Sequence, residues 1–136
     1  MKTFHLSLME AERPLYDGDC ESLIIPMSDG QYGILAGHIN MVGAVKPGKL
    51  IFRPPGGEDR VVSVAEGLAK VEQDDVLVLL DSAEYLEEID IHRAERDVEE
   101  ARRRLHEKRS EQEYEAARID LARAINRLHV HGSEKE

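Results

Sequence analysis

The stretches EEIDIHRAER, Glu87 to Arg96, and ARAINRL, Ala122 to Leu128, hold the side chains best spaced to do chemistry. Asp90 and Arg93 lie about one helical turn apart in the first, and Arg123 and Arg127 share one helix face in the second. If two helices carrying them ran antiparallel, the start of one would lie beside the end of the other, and Arg93 would come level with Arg127. Three guanidinium groups and one carboxylate would then converge. Guanidinium forks grip phosphate oxygens through paired hydrogen bonds, and a carboxylate accepts from a base or ribose, so a nucleoside polyphosphate suits such a set. A plainer arrangement fits the same residues: Asp90 and Arg93 as an exposed pair, Arg123 and Arg127 each paired with a nearby acid. Spacing alone leaves both open.

Other chemistry is poorly represented. The six histidines, His5, His38, His92, His106, His129 and His131, are scattered. Only His129 and His131 are close, and two residues apart on a helix they point to different sides, with no third ligand in sequence, so no metal site is expected. His38 sits beside Gly37, but the glycines at 33, 37, 43 and 48 lack the spacing of a phosphate cradle, and no nucleophile motif occurs. No catalytic residue is assigned, and the chain is read as a non-enzyme. The single cysteine, Cys20, permits neither an internal disulfide nor a thiolate zinc site and suits a reducing cytoplasm. A formal net charge of −10 disfavours nucleic acid and anionic membrane surfaces and favours basic partners. MKTFHLSLMEAERP at the start reads as neither a signal nor a transit peptide, and no run reaches the roughly 18 apolar residues of a membrane span.

Two kinds of structure must position these residues. Residues 1–83 hold nine of the ten glycines, all five prolines and 20 of the 46 charged residues, whereas the shorter remainder holds 26. Glycine and proline punctuate turns and dense mixed charge marks exposed helix faces, so a β part precedes an α part. FHLSLM alternates with period 2, as a half-buried strand does. Ser28-Asp29-Gly30, Pro54 to Asp59 and Gln73-Asp74-Asp75 each separate two short apolar runs and predict hairpins. Strands this short and regular predict a β-sandwich or flattened barrel over 1–84. From 85 to 136 the period becomes helical, with Ala94, Val98, Ala101 and Leu105 on one seam and Tyr114, Ala117, Leu121, Ala124 and Leu128 on another. Ser110 and Glu113 form a capping-box pattern between them. The expected product is an antiparallel two-helix hairpin with Glu99–Arg103 and Glu100–Arg104 pairs on its outer face. Its alanine-rich seam buries little area, so the hairpin should be marginal and able to open.

In YGILAGHINMVGAVKPGKL, VAEGLAKVEQDDVLVLLDSAE and ARIDLARAINRLHV, and in the order of its parts, the chain resembles the epsilon subunit of bacterial ATP synthase over nearly its whole length. The resemblance implies a non-catalytic subunit of the central stalk, coupling proton or sodium flow to rotary ATP synthesis. It implies a sandwich that binds the gamma subunit and stands on the c-ring. It also implies C-terminal helices that either fold against the sandwich or extend along gamma toward the catalytic beta and alpha subunits, restraining ATP hydrolysis. The expected position is peripheral, on the cytoplasmic face of the bacterial plasma membrane. No cofactor is implied; ATP would be a regulatory ligand. Members that bind ATP carry an Ile/Leu-Asp-x-x-Arg-Ala motif, matched here by Ile89, Asp90, Arg93 and Ala94, with Arg123 and Arg127 downstream and Glu84 upstream. The resemblance places Gln31, Tyr32, His38 and Met41 at the rotor interface.

Several positions depart from the family pattern. Glu100 stands where ATP-binding members have a further arginine. Gln31 replaces a common glutamate, which weakens ionic contact with basic ring loops, and Ala36 stands where Pro-Gly-His would begin. Asn40 replaces a common proline, and without a fixed φ the loop is expected to be more mobile. The alternative reading is a constitutive stalk adapter with neither nucleotide switch nor inhibition.

Overall fold

The computed structural model describes residues 2–11, 13–89, 91–107 and 110–135, with side chains to Val130. It divides into two compact units, Met1–Tyr85 and Leu86–Glu136.

The described residues of the first unit form ten strands: β1 (Phe4–Glu10), β2 (Arg13–Cys20), β3 (Ser22–Met27), β4 (Gly30–Ile34), β5 (Met41–Val45), β6 (Gly48–Arg53), β7 (Arg60–Val64), β8 (Gly67–Glu72), β9 (Asp75–Leu80) and β10 (Ala83–Tyr85). All three expected hairpins form, joining β3 to β4, β6 to β7 and β8 to β9. The β3–β4 turn places Gly30 at φ 120°, a conformation other residues adopt only with strain. Hydrogen bonding runs in the order β10-β7-β6-β3-β5-β8-β9-β1-β2, with β4 paired to β3. The two halves of this ladder meet at a single pair, Met27 with Val45, and together form a β-sandwich.

Alternation along the strands sends one face inward. Phe4, Leu6 and Leu8 of β1, Leu23 and Ile25 of β3, Leu50 and Phe52 of β6, Val76 and Val78 of β9 form the core, each at most 2% exposed. Burial of each such side chain contributes roughly 1.5–3 kcal/mol. Two elements close the unit. β1 lies parallel to β9, and the Glu10 Oε2 accepts from the Ala83 N–H at 2.8 Å, holding β10 beside it. Among the described residues β2 is an edge strand, paired to β1 alone. An edge tolerates Pro14 and the polar Asp17-Gly18-Asp19, residues that hide β2 from any periodicity reading.

The second unit begins with a 3-10 turn at Leu86–Glu88, followed by α1 (Ile91–Glu107) and α2 (Glu111–Lys135). Ser110 caps α2, its Oγ accepting the Glu113 N–H at 3.1 Å. The seam is as small as expected: Ala94, Val98 and Ala101 of α1 and Ala117, Ala124 and Val130 of α2 are buried, while Tyr114 is 36% exposed. The outer pairs differ from expectation. Glu99 meets Arg102, Arg103 meets Glu107, and Arg104 crosses to Asp120 on α2 at 2.6 Å. Arg104 is half-buried at the edge of the seam, where the facing helix offers it a partner better placed than Glu100, whose charge still favours its protonated form.

Candidate functional site

On the hairpin, two cross-helix ion pairs fix the register. Arg127 Nη1 donates to Asp97 Oδ2 at 3.3 Å, and Arg104 Nη1 donates to Asp120 Oδ2 at 2.6 Å. From the first bridge to the second, both helices advance by seven residues in opposite directions, two helical turns each. Arg127 therefore lies level with Asp97, one turn further along α1 than Arg93. By the same register Arg123 faces the neighbourhood of Glu100 and Ala101. Arg93, Arg127 and Arg123 thus follow one edge of the hairpin at intervals of about 6 Å of helix rise, with Asp97 between them.

The remaining candidates belong to several elements. Ile89 and Ala94 are buried, Ala94 in the helix seam. Glu84 belongs to β10 of the first unit, opposite Ser63 of β7. Asp90 lies outside the described residues. Sequence reasoning missed Asp97, although a carboxylate one turn after Arg93 was its available signal. Asp97 partly neutralises a guanidinium group that is itself largely covered, the side chain of Arg127 being only 20% exposed.

The first unit presents a different surface. Between β4 and β5 runs a loop, residues 35–40, bearing Leu35 and Ile39 at 63% and 73% exposure. Tyr32 stands beside it, its ring edge-on to His38 at 5.6 Å. The His38 Nδ1–H donates to the Ile39 carbonyl at 2.7 Å, so this histidine braces its own loop. Gln31 is exposed on β4, whereas Met41 packs against the sandwich core and offers less of itself to a partner. The strands that follow carry further exposed apolar residues, with the charged Lys70 opposite Val42 among them. Val42, Leu68 and Leu79 are exposed on one face of neighbouring β5, β8 and β9, with Leu68 directly opposite Leu79. Single-strand patterns conceal this face, because its residues come from three strands.

One contact runs against the mobility expected of the Asn40 loop. The Asn40 Oδ1 accepts the Gln73 N–H at 3.0 Å, a tie that a proline could not make.

His5 resembles a catalytic grouping and is not one. Its Nε2 approaches both Ser7 Oγ, at 3.3 Å, and Asp17 Oδ1, at 2.6 Å. A base activating a serine needs the carboxylate on its opposite nitrogen. Among the described residues no three His, Cys, Asp or Glu side chains cluster to hold a metal, and no helix is long and apolar enough to cross a membrane.

Comparison with known proteins follows the division of the chain. Residues 3–86 match the model of the ATP synthase Delta/Epsilon chain beta-sandwich domain, and residues 87–132 that of its long alpha-helix domain. The ATP synthase epsilon chain of Ruminiclostridium cellulolyticum is 42% identical over 128 residues, covering 94% of this chain and 95% of that one. That of Caldanaerobacter subterraneus is 36% identical, covering 99% and 98%. Among solved structures, a chain of the Euglena gracilis mitochondrial ATP synthase OSCP/F1/c-ring assembly superposes with a TM-score of 0.75 at 26% identity, covering 88% of this chain and 76% of that one.

Proposed function

We propose a function from one premise: the chain belongs to the ATP synthase delta/epsilon family, as an epsilon chain. It is a non-catalytic subunit of the synthase and a component of the central stalk. The observation that carries this is coverage: both family domains follow one another along the chain in the order of its two units.

The sandwich binds the gamma subunit and stands on the c-ring, coupling proton or sodium flow to rotation at the cytoplasmic face of the bacterial plasma membrane. The apolar loop Leu35–Ile39 with Tyr32 and His38, and the adjoining Val42, Leu68 and Leu79, support a docking role, since exposed apolar patches mark interaction surfaces. The helical hairpin restrains ATP hydrolysis by extending toward the catalytic beta and alpha subunits. A seam of alanines supports this reading, because it makes opening inexpensive. Removing residues 88–136 from the assembled enzyme raises ATP hydrolysis if the hairpin inhibits; unchanged hydrolysis at every ATP concentration rejects inhibition.

ATP holds the hairpin folded through Arg93, Arg123 and Arg127. A ligand at 100 times its dissociation constant favours the bound fold by about 2.7 kcal/mol, enough to bias a loose hairpin. Calorimetry on the full chain should show binding that Arg93→Ala or Arg127→Ala abolishes, and equal affinity in both variants removes them from the site. A second reading, a constitutive adapter without a switch, is favoured by Asp97 and Glu100, which set negative charge among the arginines.

A further inference from the structure

The loop that carries Leu35 and Ile39 is joined to the β8–β9 turn by two reciprocal hydrogen bonds. The Gly37 N–H donates to Asp74 Oδ1 at 2.6 Å, and the Gln73 N–H donates to Asn40 Oδ1 at 3.0 Å. Each segment thus lends one side chain to the other's backbone. The turn is an unusual anchor, as both its central residues are non-glycine with positive φ, 49° at Gln73 and 61° at Asp74. It is tied from a third side, since the Asp74 carbonyl accepts the His5 N–H at 2.9 Å. Inside the loop, the His38 N–H to Leu35 carbonyl bond, at 3.1 Å, closes a single turn.

Nothing in the core needs these bonds, because β8 and β9 pair along their full length without them. Their effect falls on the loop, which holds two of the most exposed apolar side chains of the molecule. A free loop that docks must first be ordered, and that cost is subtracted from its affinity; a loop already fixed avoids it.

We infer that Asn40 and Asp74 are positioning residues, forming a latch that holds the apolar loop Leu35–Ile39 in its docking geometry for the rotor. This rests on the docking role proposed above for that loop. The latch acts through the loop and touches no partner itself. Gln73 contributes only its backbone, so its side chain is free to vary.

The test uses the full chain and a detergent-solubilised gamma and c-ring subcomplex, with binding followed by biolayer interferometry. Asn40→Leu removes the acceptor at similar volume. It should weaken docking about three- to tenfold, the worth of one hydrogen bond. The loss should appear largely in the association rate, with the melting temperature lowered by only a few degrees, as loss of about one hydrogen bond allows. Exchange of the Gln73 amide, followed by NMR, should rise in parallel, and Asn40→Asp, which keeps an acceptor, should restore both. If Asn40→Leu fails to fold, Asn40→Gly removes the same acceptor. Wild-type docking in these acceptor-less variants, or a Gln73 amide that stays protected, overturns the latch. Leu35→Ser and Ile39→Ser separate the two ideas. Unchanged docking in both rejects the docking role and the latch with it, whereas weakened docking there beside wild-type docking in Asn40→Leu rejects the latch alone.

Discussion

Replacing Gly67 by alanine should damage the sandwich far more than one methyl group suggests. Gly67 opens β8 and pairs with Val45 on one side and Leu80 on the other, so neither neighbour can move away without breaking a ladder. A Cβ built there overlaps the Leu79 carbonyl oxygen and lies 2.9 Å from Leu80 Cδ2 and 3.0 Å from Leu80 Cα. Backbone atoms cannot swing aside as a side chain can, so β9 must separate from β8 at this end. Overpacking of this kind costs about 1–3 kcal/mol. Losing one or two ladder hydrogen bonds adds about 1 kcal/mol each, for a total of roughly 2–5 kcal/mol. For a unit of this size that lowers the melting temperature by about 10–30 °C. Gly33→Ala is the control: it meets open space, with nothing within 4 Å, and should shift stability by no more than about 1 kcal/mol. Three of the four tyrosines, Tyr16, Tyr32 and Tyr85, lie in the sandwich, so near-UV circular dichroism follows its melting apart from the helical signal. If Gly67→Ala melts within 2–3 °C of Gly33→Ala, roughly the effect of half a kcal/mol, the steric argument is wrong.

At the ATP site proposed above, Asp97→Asn should raise affinity severalfold, up to about fivefold, by removing one ion pair of Arg127 worth up to about 1 kcal/mol. Calorimetry showing weaker binding would make Asp97 part of the site instead of its competitor. Cys20 is fully buried and its Sγ donates to the Ser22 carbonyl at 3.0 Å; burial pushes its thiol pKa up. The folded state therefore keeps a proton that the unfolded state loses, so this contribution is present below the ordinary thiol pKa and fades as pH rises through the folded value. Native chain should react with an aromatic disulfide reagent at least about 100-fold more slowly than chain in denaturant, as expected of an inert buried thiol; comparable rates would contradict the burial. The Arg118 guanidinium bonded to Glu115 lowers that carboxyl pKa, against a smaller opposing effect of desolvation. Its contribution is present above the ordinary carboxylate pKa and is lost as pH falls through the folded value. An NMR titration should place Glu115 below the ordinary range and Arg118→Ala should restore it, while identical midpoints in both proteins would refute the pairing.

The strands that declared themselves in sequence were those with an inward and an outward face, such as β1, or those bounded by turn residues, such as β8 and β9. β2 was silent because an edge strand needs only one partner and so tolerates proline and paired aspartates. β10 is three residues long, too short for any period, and depends on Glu10 from the opposite end of the unit. The helices were legible from their spacing, but their register was not. Two turns of a helix return almost the same face, so Arg93, Asp97 and Arg104 are nearly equivalent in a periodic pattern. Only the cross-helix bridges select among them. Asn40 teaches the same lesson for loops: counted as the loss of a proline, it signified slack, whereas its side-chain carbonyl finds an amide 33 residues away.

The parallel pairing of β1 with β9 carries a consequence for how the chain is made. β1 is synthesised well before β9 and cannot complete its ladder until nearly the last strand of the sandwich has followed it. The sandwich is accordingly a slow-folding unit of high contact order, closed late by the meeting of its two ends. The helical unit assembles from near neighbours in sequence and folds fast. A helical pair that folds faster than the sandwich it follows in sequence leaves the two units kinetically separate.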